Sequence, residues 1–106
     1  MRSMFTALTL ACLSVAAGIA ADASAGQAVF NRACKSCHGA DGTPNPAIAK
    51  MFNVDMQDLK SAQVQALSND DIKKIVSAGK GKMRPVNSVT GTDLDNIAAY
   101  VHSLKK

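Results

Sequence analysis

Tryptophan and glutamate are both missing from this chain of 106 residues, and aromatic side chains make up only 4% of it. Large rings are what fill interiors. A domain this short without them commonly needs a disulfide, a metal or a cofactor as a staple. The length leaves room for one small domain and excludes a large enzyme with a deep substrate cleft. Internal repeats, low-complexity tracts and alternating strand-like runs are also missing, which argues against solenoids and β architectures. Nothing in the sequence explains the lack of glutamate.

Long apolar runs are confined to one place. After Met1-Arg2, residues 4–20 (MFTALTLACLSVAAGIA) carry no charge, and two A-x-A sites follow, Ala21-Asp22-Ala23 and Ala23-Ser24-Ala25. Basic start, apolar stretch and small-residue end are the layout of a secretory leader. This predicts export to the periplasm, cleavage near Ala23 or Ala25, a signal peptide over 1–25 and a single domain over 26–106. The rival is a transmembrane anchor, but the run is at the short limit for a span and no basic stop signal follows it. Cys12 invites a lipid anchor, yet Thr9-Leu10-Ala11 is a poor signal for one.

Cleavage takes Cys12 away and leaves Cys34 and Cys37. Export would normally suggest a disulfide framework, but a pair three residues apart closes no useful loop.

Helical patterns predict an all-α fold. The first helix is expected over 25–38, with Ser24 and Gln27 as a capping box and Val29, Ala33 and Cys37 on one face. The second spans 69–78, capped by Ser68 with Asp71, striped by Ile72, Ile75 and Val76, and ended by Gly79. The third spans 93–104, capped by Thr92 with Asp95 and striped by Ile97, Val101 and Leu104. Ala47–Phe52 predicts a short helical turn, 53–67 one or two more, and the Gly- and Pro-bearing stretches 39–46 and 80–91 predict loops. Loops this long bury little by themselves and make sense if they wrap something.

The candidate is at Cys34-Lys35-Ser36-Cys37-His38, a C-x-x-C-H pattern of the kind that attaches c-type haem. Residues i, i+3 and i+4 of a helix share a face. Two thiols can therefore reach one edge of a flat macrocycle while the imidazole meets the iron at its centre. Two other readings compete. A thioredoxin-type pair needs a preceding strand in a βαβ setting, and none is visible. A zinc site needs four ligands; Cys34, Cys37, His38 and His102 are the only thiols and imidazoles outside the leader, and adjacent Cys37 and His38 make a poor tetrahedral pair.

With Gly26-x-x-x-Phe30 before this motif, a Pro-containing loop after it, Gly79-Lys80-Gly81-Lys82-Met83 and then Ile97-x-x-Tyr100, the chain resembles a class I cytochrome c, the small soluble monohaem type similar to bacterial and c6-like proteins. The resemblance covers all of 26–106. It implies three main helices with short turns and long loops wrapping one haem c, held covalently through Cys34 and Cys37. It also implies that Gly26 and Phe30 pack against Ile97 and Tyr100. His38 and Met83 would be the axial ligands, with a proline carbonyl, Pro46 rather than Pro44, accepting from the other ring nitrogen of His38.

A thioether at iron favours the ferrous state. Of the other methionines, Met51 and Met56 are expected as apolar filling beside the haem, and Phe30, Phe52 and Tyr100 as barriers to water. Arg84 stands between Met83 and Pro85 where the family often has Met followed directly by Pro. His102 lies off the apolar stripe and is expected to face solvent.

The net charge is +4. No basic stripe with interleaved aromatics is present, which argues against nucleic acid. Lys35, Lys80, Lys82 and Arg84 flank the expected ligands and would steer acidic redox partners. These readings lead to a soluble, monomeric periplasmic electron carrier with no small-molecule substrate. The rivals are a haem subunit of a larger oxidoreductase and a haem enzyme or small-ligand sensor with a labile sixth ligand.

Overall fold

The computed structural model describes residues 21–105; residues 1–20, which hold most of the expected signal peptide over 1–25, and Lys106 lie outside them. Among the described residues there are six helices and no strand: α1 (Ala23–Ala33), α2 (Lys35–His38), α3 (Pro46–Phe52), α4 (Ala62–Gln65), α5 (Asn69–Ala78) and α6 (Thr92–Ser103). None of them is long and apolar enough to cross a membrane.

The start of α1 is fixed by Asp22, whose carboxylate accepts from the backbone N–H of Ser24 (2.8 Å) and Ala25 (3.3 Å). The expected Ser24 box is therefore displaced: the helix begins earlier, and Ser24 lies inside it. Nor does the helix run unbroken to 38. It ends at Cys34, whose φ of −124° leaves helical geometry, and the chain restarts as α2 with Cys34 as its N-cap. At the head of α5 the capping box forms as expected, with Asp71 N–H donating to Ser68 Oγ (3.0 Å) and Ser68 N–H to the Asp71 carboxylate (3.2 Å). At α6 the expected Thr92 cap is replaced by Gly91 at φ 57°, with no side-chain cap. Asp93 and Asp95 in the first turn still complement the helix dipole.

The core forms where α1 crosses α6. Phe30 and Ile97 are each 1% exposed, and Ala98 is fully enclosed. A Cβ on Gly26 would stand 2.0 Å from the Asn96 carbonyl oxygen, so only glycine lets the two backbones touch. One turn further on, the Phe30 and Tyr100 rings meet at 5.0 Å in a tilted arrangement. The Tyr100 hydroxyl donates to the Ala40 carbonyl and so ties α6 to the loop after α2. Lys73 of α5 reaches Asp95 of α6 at 2.7 Å.

Candidate cofactor site

Between this core and the segment 48–67 lies a cavity of about 820 Å³. That is within the size range of cofactor sites, roughly 300–1,000 Å³. Cys34, Cys37 and His38 line it from α2 and its N-cap, and Met83 lines it from the loop after α5. The four residues singled out from the sequence are thus brought to one space, three from one segment and the fourth from another.

Local hydrogen bonds explain how α2 presents its residues. The N–H groups of Cys37 and His38 both donate to the Cys34 carbonyl, at 3.3 and 3.0 Å. This makes one tight turn with Cys34, Cys37 and His38 on a common side. Gly39 then leaves the helix at φ 71°, and a Cβ there would lie 2.2 Å from the Thr43 carbonyl oxygen. The loop returns so closely that Asn45 N–H donates to the Cys37 carbonyl (3.0 Å) and Asn45 Nδ2 to the Ser36 carbonyl (3.2 Å).

Burial alone lowers the His38 pKa below its usual 6.5, which favours the neutral, ligating imidazole. Its Nδ1 is buried without a hydrogen-bond partner, so the expected bond to Pro46 is absent. Pro46 instead opens α3 as its first residue. Burial also pushes the Cys34 thiol up to about 11, with the neighbouring Cys37 adding to the rise and Arg32 opposing it. Redox-active C-x-x-C pairs and zinc thiolates need the opposite shift. No group of three or more Cys, His, Asp or Glu among the described residues is placed to hold a metal ion by itself. A Cys34 thiol whose proton is held by burial, a second cysteine one turn on, an imidazole with an unpartnered buried nitrogen and a methionine thioether, all on one mostly apolar space, fit haem and suit neither rival.

The Met83 loop is held firmly despite the intervening Arg84. Lys80 and Met83 exchange backbone bonds of 2.9 and 3.0 Å, and Val86 N–H donates to the Val76 carbonyl at 2.8 Å. Gly79, at φ 78°, is in close contact with both Met83 and Pro85; a Cβ there would meet Met83 O at 2.6 Å and Pro85 Cδ at 2.9 Å. Pro85 therefore still buttresses the turn, one residue later than usual for the resemblance.

Other expectations divide. Phe30, Phe52 and Met56 line the cavity. Met51 does not; it is 66% exposed on the outer side of α3. Tyr100 is buried in the α1–α6 contact, away from the cavity. Lys80, Lys82 and Arg84 line the cavity and Lys35 does not. His102 is not free in solvent: its Nε2 lies 2.8 Å from the Leu67 carbonyl and ties the end of α6 to the cavity wall. Two clamps went unforeseen. Gln65 Nε2 donates to the carbonyls of Leu59 and Val101, each at 2.8 Å. The Lys60 ammonium donates to Thr43 Oγ1 (2.7 Å) and the Asp41 carbonyl (3.2 Å), and pairs with Asp58 (3.2 Å). Both hold the segment that carries Leu59, and no local sequence pattern announces partners this distant.

Comparison with known proteins agrees with this geometry. Residues 21–101 match the family model described as cytochrome c oxidase, cbb3-type, subunit III. Cytochrome c-554(547) of Halothiobacillus neapolitanus is 26% identical over 91 residues, which are 81% of this chain and 100% of that protein. The solved structure of the c-type cytochrome KustC0563 has the same fold, with a TM-score of 0.65 at 24% identity over 76% of this chain and 98% of that one. The chain belongs to the family that the matching model describes: it is a c-type cytochrome, an electron-transfer protein that carries covalently bound haem c and exchanges electrons with redox protein partners.

Proposed function

We propose that this chain is a soluble, monomeric periplasmic electron carrier in which Cys34 and Cys37 would hold haem c through two thioethers and His38 and Met83 would ligate its iron. The observation that carries the reading is that those four side chains, from two separate segments of the chain, line one cavity. Haem c, when bound, supplies a one-electron couple between ferrous and ferric iron. The protein does the rest. His38 is kept neutral by burial and offers imidazole. Met83 offers a thioether, which favours the ferrous state and raises the potential. Phe30, Val64 and Ile97 exclude water from the interior side.

Lys80, Lys82 and Arg84 stand exposed at the cavity, and Lys35 is exposed nearby. The ion pairs among the described residues involve Arg32, Lys60 and Lys73 instead. Four unpaired cations favour acidic partners and a salt-sensitive encounter through a small interface. No bond in a substrate is made or broken.

Optical spectra of the mature protein in both oxidation states test the ligand set. A weak ferric iron–sulfur charge-transfer band is expected, and Met83→Ala should abolish it; a band that survives removes Met83 from the site. Pigment that acid–acetone extraction strips away would contradict the thioethers.

A second reading, a haem subunit of a larger oxidoreductase, is favoured by the description of the matching family. The full-length match to cytochrome c-554(547) favours a domain that stands alone. Size-exclusion chromatography of the native protein separates the two. A sensor with a labile sixth ligand predicts rapid carbon monoxide binding by the ferrous protein, whereas the carrier predicts slow binding.

A further inference from the structure

We propose that the exported chain is cut ahead of Asp22, so that the mature protein keeps this residue as the cap of α1. The inference rests on the export reading above and refines it. The A-x-A sites ending at Ala23 and Ala25 look suitable in the sequence, but the bonds that follow them lie within a helix that the fold uses.

Asp22 is engaged in three ways. Its carboxylate accepts from Ser24 and Ala25 N–H, at 2.8 and 3.3 Å. Its carbonyl accepts from Gly26 N–H at 2.9 Å, which closes the first turn. Its own N–H donates to Asn96 Oδ1 at 2.9 Å, joining the start of α1 to α6. Asn96 is also the residue whose backbone carbonyl packs against Gly26. Residues 22–26 are therefore one piece of the α1–α6 contact.

A cut after Ala23 removes the cap and leaves a Ser24 ammonium at the positive end of the helix. A cut after Ala25 removes the first turn and places a Gly26 ammonium where an amide had found the Asp22 carbonyl. Independently of these contacts, the family match begins at residue 21.

The sequence offers a site in the right place. Gly18 and Ala20 are small residues two apart, with the uncharged stretch before them, and they nominate the Ala20–Ala21 bond. Cleavage there by a leader peptidase is a hydrolysis: water supplies oxygen to the Ala20 carbonyl, which leaves as a carboxylate with the leader, and the Ala21 nitrogen becomes the new ammonium. The Asp22 carboxylate then remains to accept from Ser24 and Ala25 N–H and cap the helix.

The test is to express the full chain in a host that exports it and attaches haem, fractionate the cells, and determine the N-terminus and intact mass of the haem-bearing species. A principal species beginning at Ala21 or Asp22 is the expected result. A soluble periplasmic holoprotein beginning at Ser24 or Gly26 overturns this inference and leaves the carrier reading intact. Full-length protein retained in the membrane overturns both. As a separate check, holoproteins made to begin at Ala21 and at Gly26 should differ in melting temperature, the shorter being lower by about 4–8 °C. Equal melting contradicts the structural reason given for the cut.

Discussion

At the α1–α6 crossing, protein packs on protein. Gly26 brings backbone against backbone, and Phe30, Ile97 and Ala98 are enclosed almost completely. Across the cavity, α2 and α3 contain no buried residue, and Phe52 remains 42% exposed even though it lines the space. That side is held by polar clamps at Asn45, Lys60 and Gln65 rather than by a core of its own. One region can account for its stability from its own side chains. The other has the form of a wall built around something: Ile48, Phe52 and Met56 line the cavity and are not part of the buried core cluster.

The strongest way to break this comparison is to prevent haem attachment. Without the haem, the mostly apolar lining of a space of about 820 Å³ loses its occupant. Whole domains are stable by only about 5–15 kcal/mol, so loss of that burial should be decisive. Cys34→Ala/Cys37→Ala should give a protein with no cooperative thermal transition by circular dichroism, with amide protection lost across 39–67 and any residual helix confined to α1 and α6. A cooperative melt with native helix content would show that the far wall stands without the cofactor.

The protein-on-protein side should fail in the opposite manner. In Gly26→Val the new Cβ falls 2.0 Å from the backbone oxygen of Asn96, an atom that cannot swing away. The expected cost is about 3 kcal/mol or more, at the upper end for overpacking. In the holoprotein that lowers the melting temperature by more than 10 °C, at roughly 4–8 °C per kcal/mol, with the ligand spectrum of the remaining folded fraction unchanged. Gly81→Ala is the control: its φ of 57° is strained for alanine, but no atom lies within 4 Å.

Between these extremes lies the ligand loop. Gly79→Ala combines a φ of 78° with a Cβ 2.6 Å from the Met83 carbonyl oxygen. The Lys80–Met83 turn has to open to relieve the clash. About 1–3 kcal/mol of stability should be lost, and the charge-transfer band should weaken or vanish while the thioethers stay intact. A full band with normal stability would mean that Met83 is held by something other than the turn.

How much of this was legible in the sequence depended on how local the determinant is. Cys34, Cys37 and His38 are legible because a single helical turn fixes their relation, and Met83 because glycines before it mark a loop that can turn inward. The Ser68–Asp71 box is legible because both partners lie within one turn. Where two local answers compete, the sequence does not choose. Asp22 and Ser24 are both good caps, and the contact with Asn96 on a distant helix favours Asp22. The expected helix over 25–38 divides at Cys34, whose φ of −124° ends α1 and starts α2, a backbone break that no periodicity of side chains expresses. His102 looked solvent-facing from its own helix alone; its partner is the Leu67 carbonyl, from a segment 35 residues earlier. Lys60 and Gln65 were missed for the same reason.

The smallest expected effect probes the clamped wall. Asp41 carries a carboxyl held below its usual 3.8, first by the Thr43 backbone N–H at 3.0 Å, then by the Thr43 hydroxyl and the Lys60 charge. Because the native value is the lower one, the unfolded chain binds more protons in the window between the two. Stability from this group is therefore complete above the usual carboxylate value and is lost as pH falls below about 3.8 through the native value. The carboxylate is 69% exposed, so solvent and salt screen it and the contribution is slight. Asp41→Asn keeps an oxygen to accept from Thr43 but cannot titrate. The difference in melting temperature between the two holoproteins should be constant from pH 7 to 5 and shrink below pH 4 as the native protein loses its advantage. A difference that changed between pH 7 and 5 would point to some other group, and one that grew in acid would reverse the sign of the Asp41 shift.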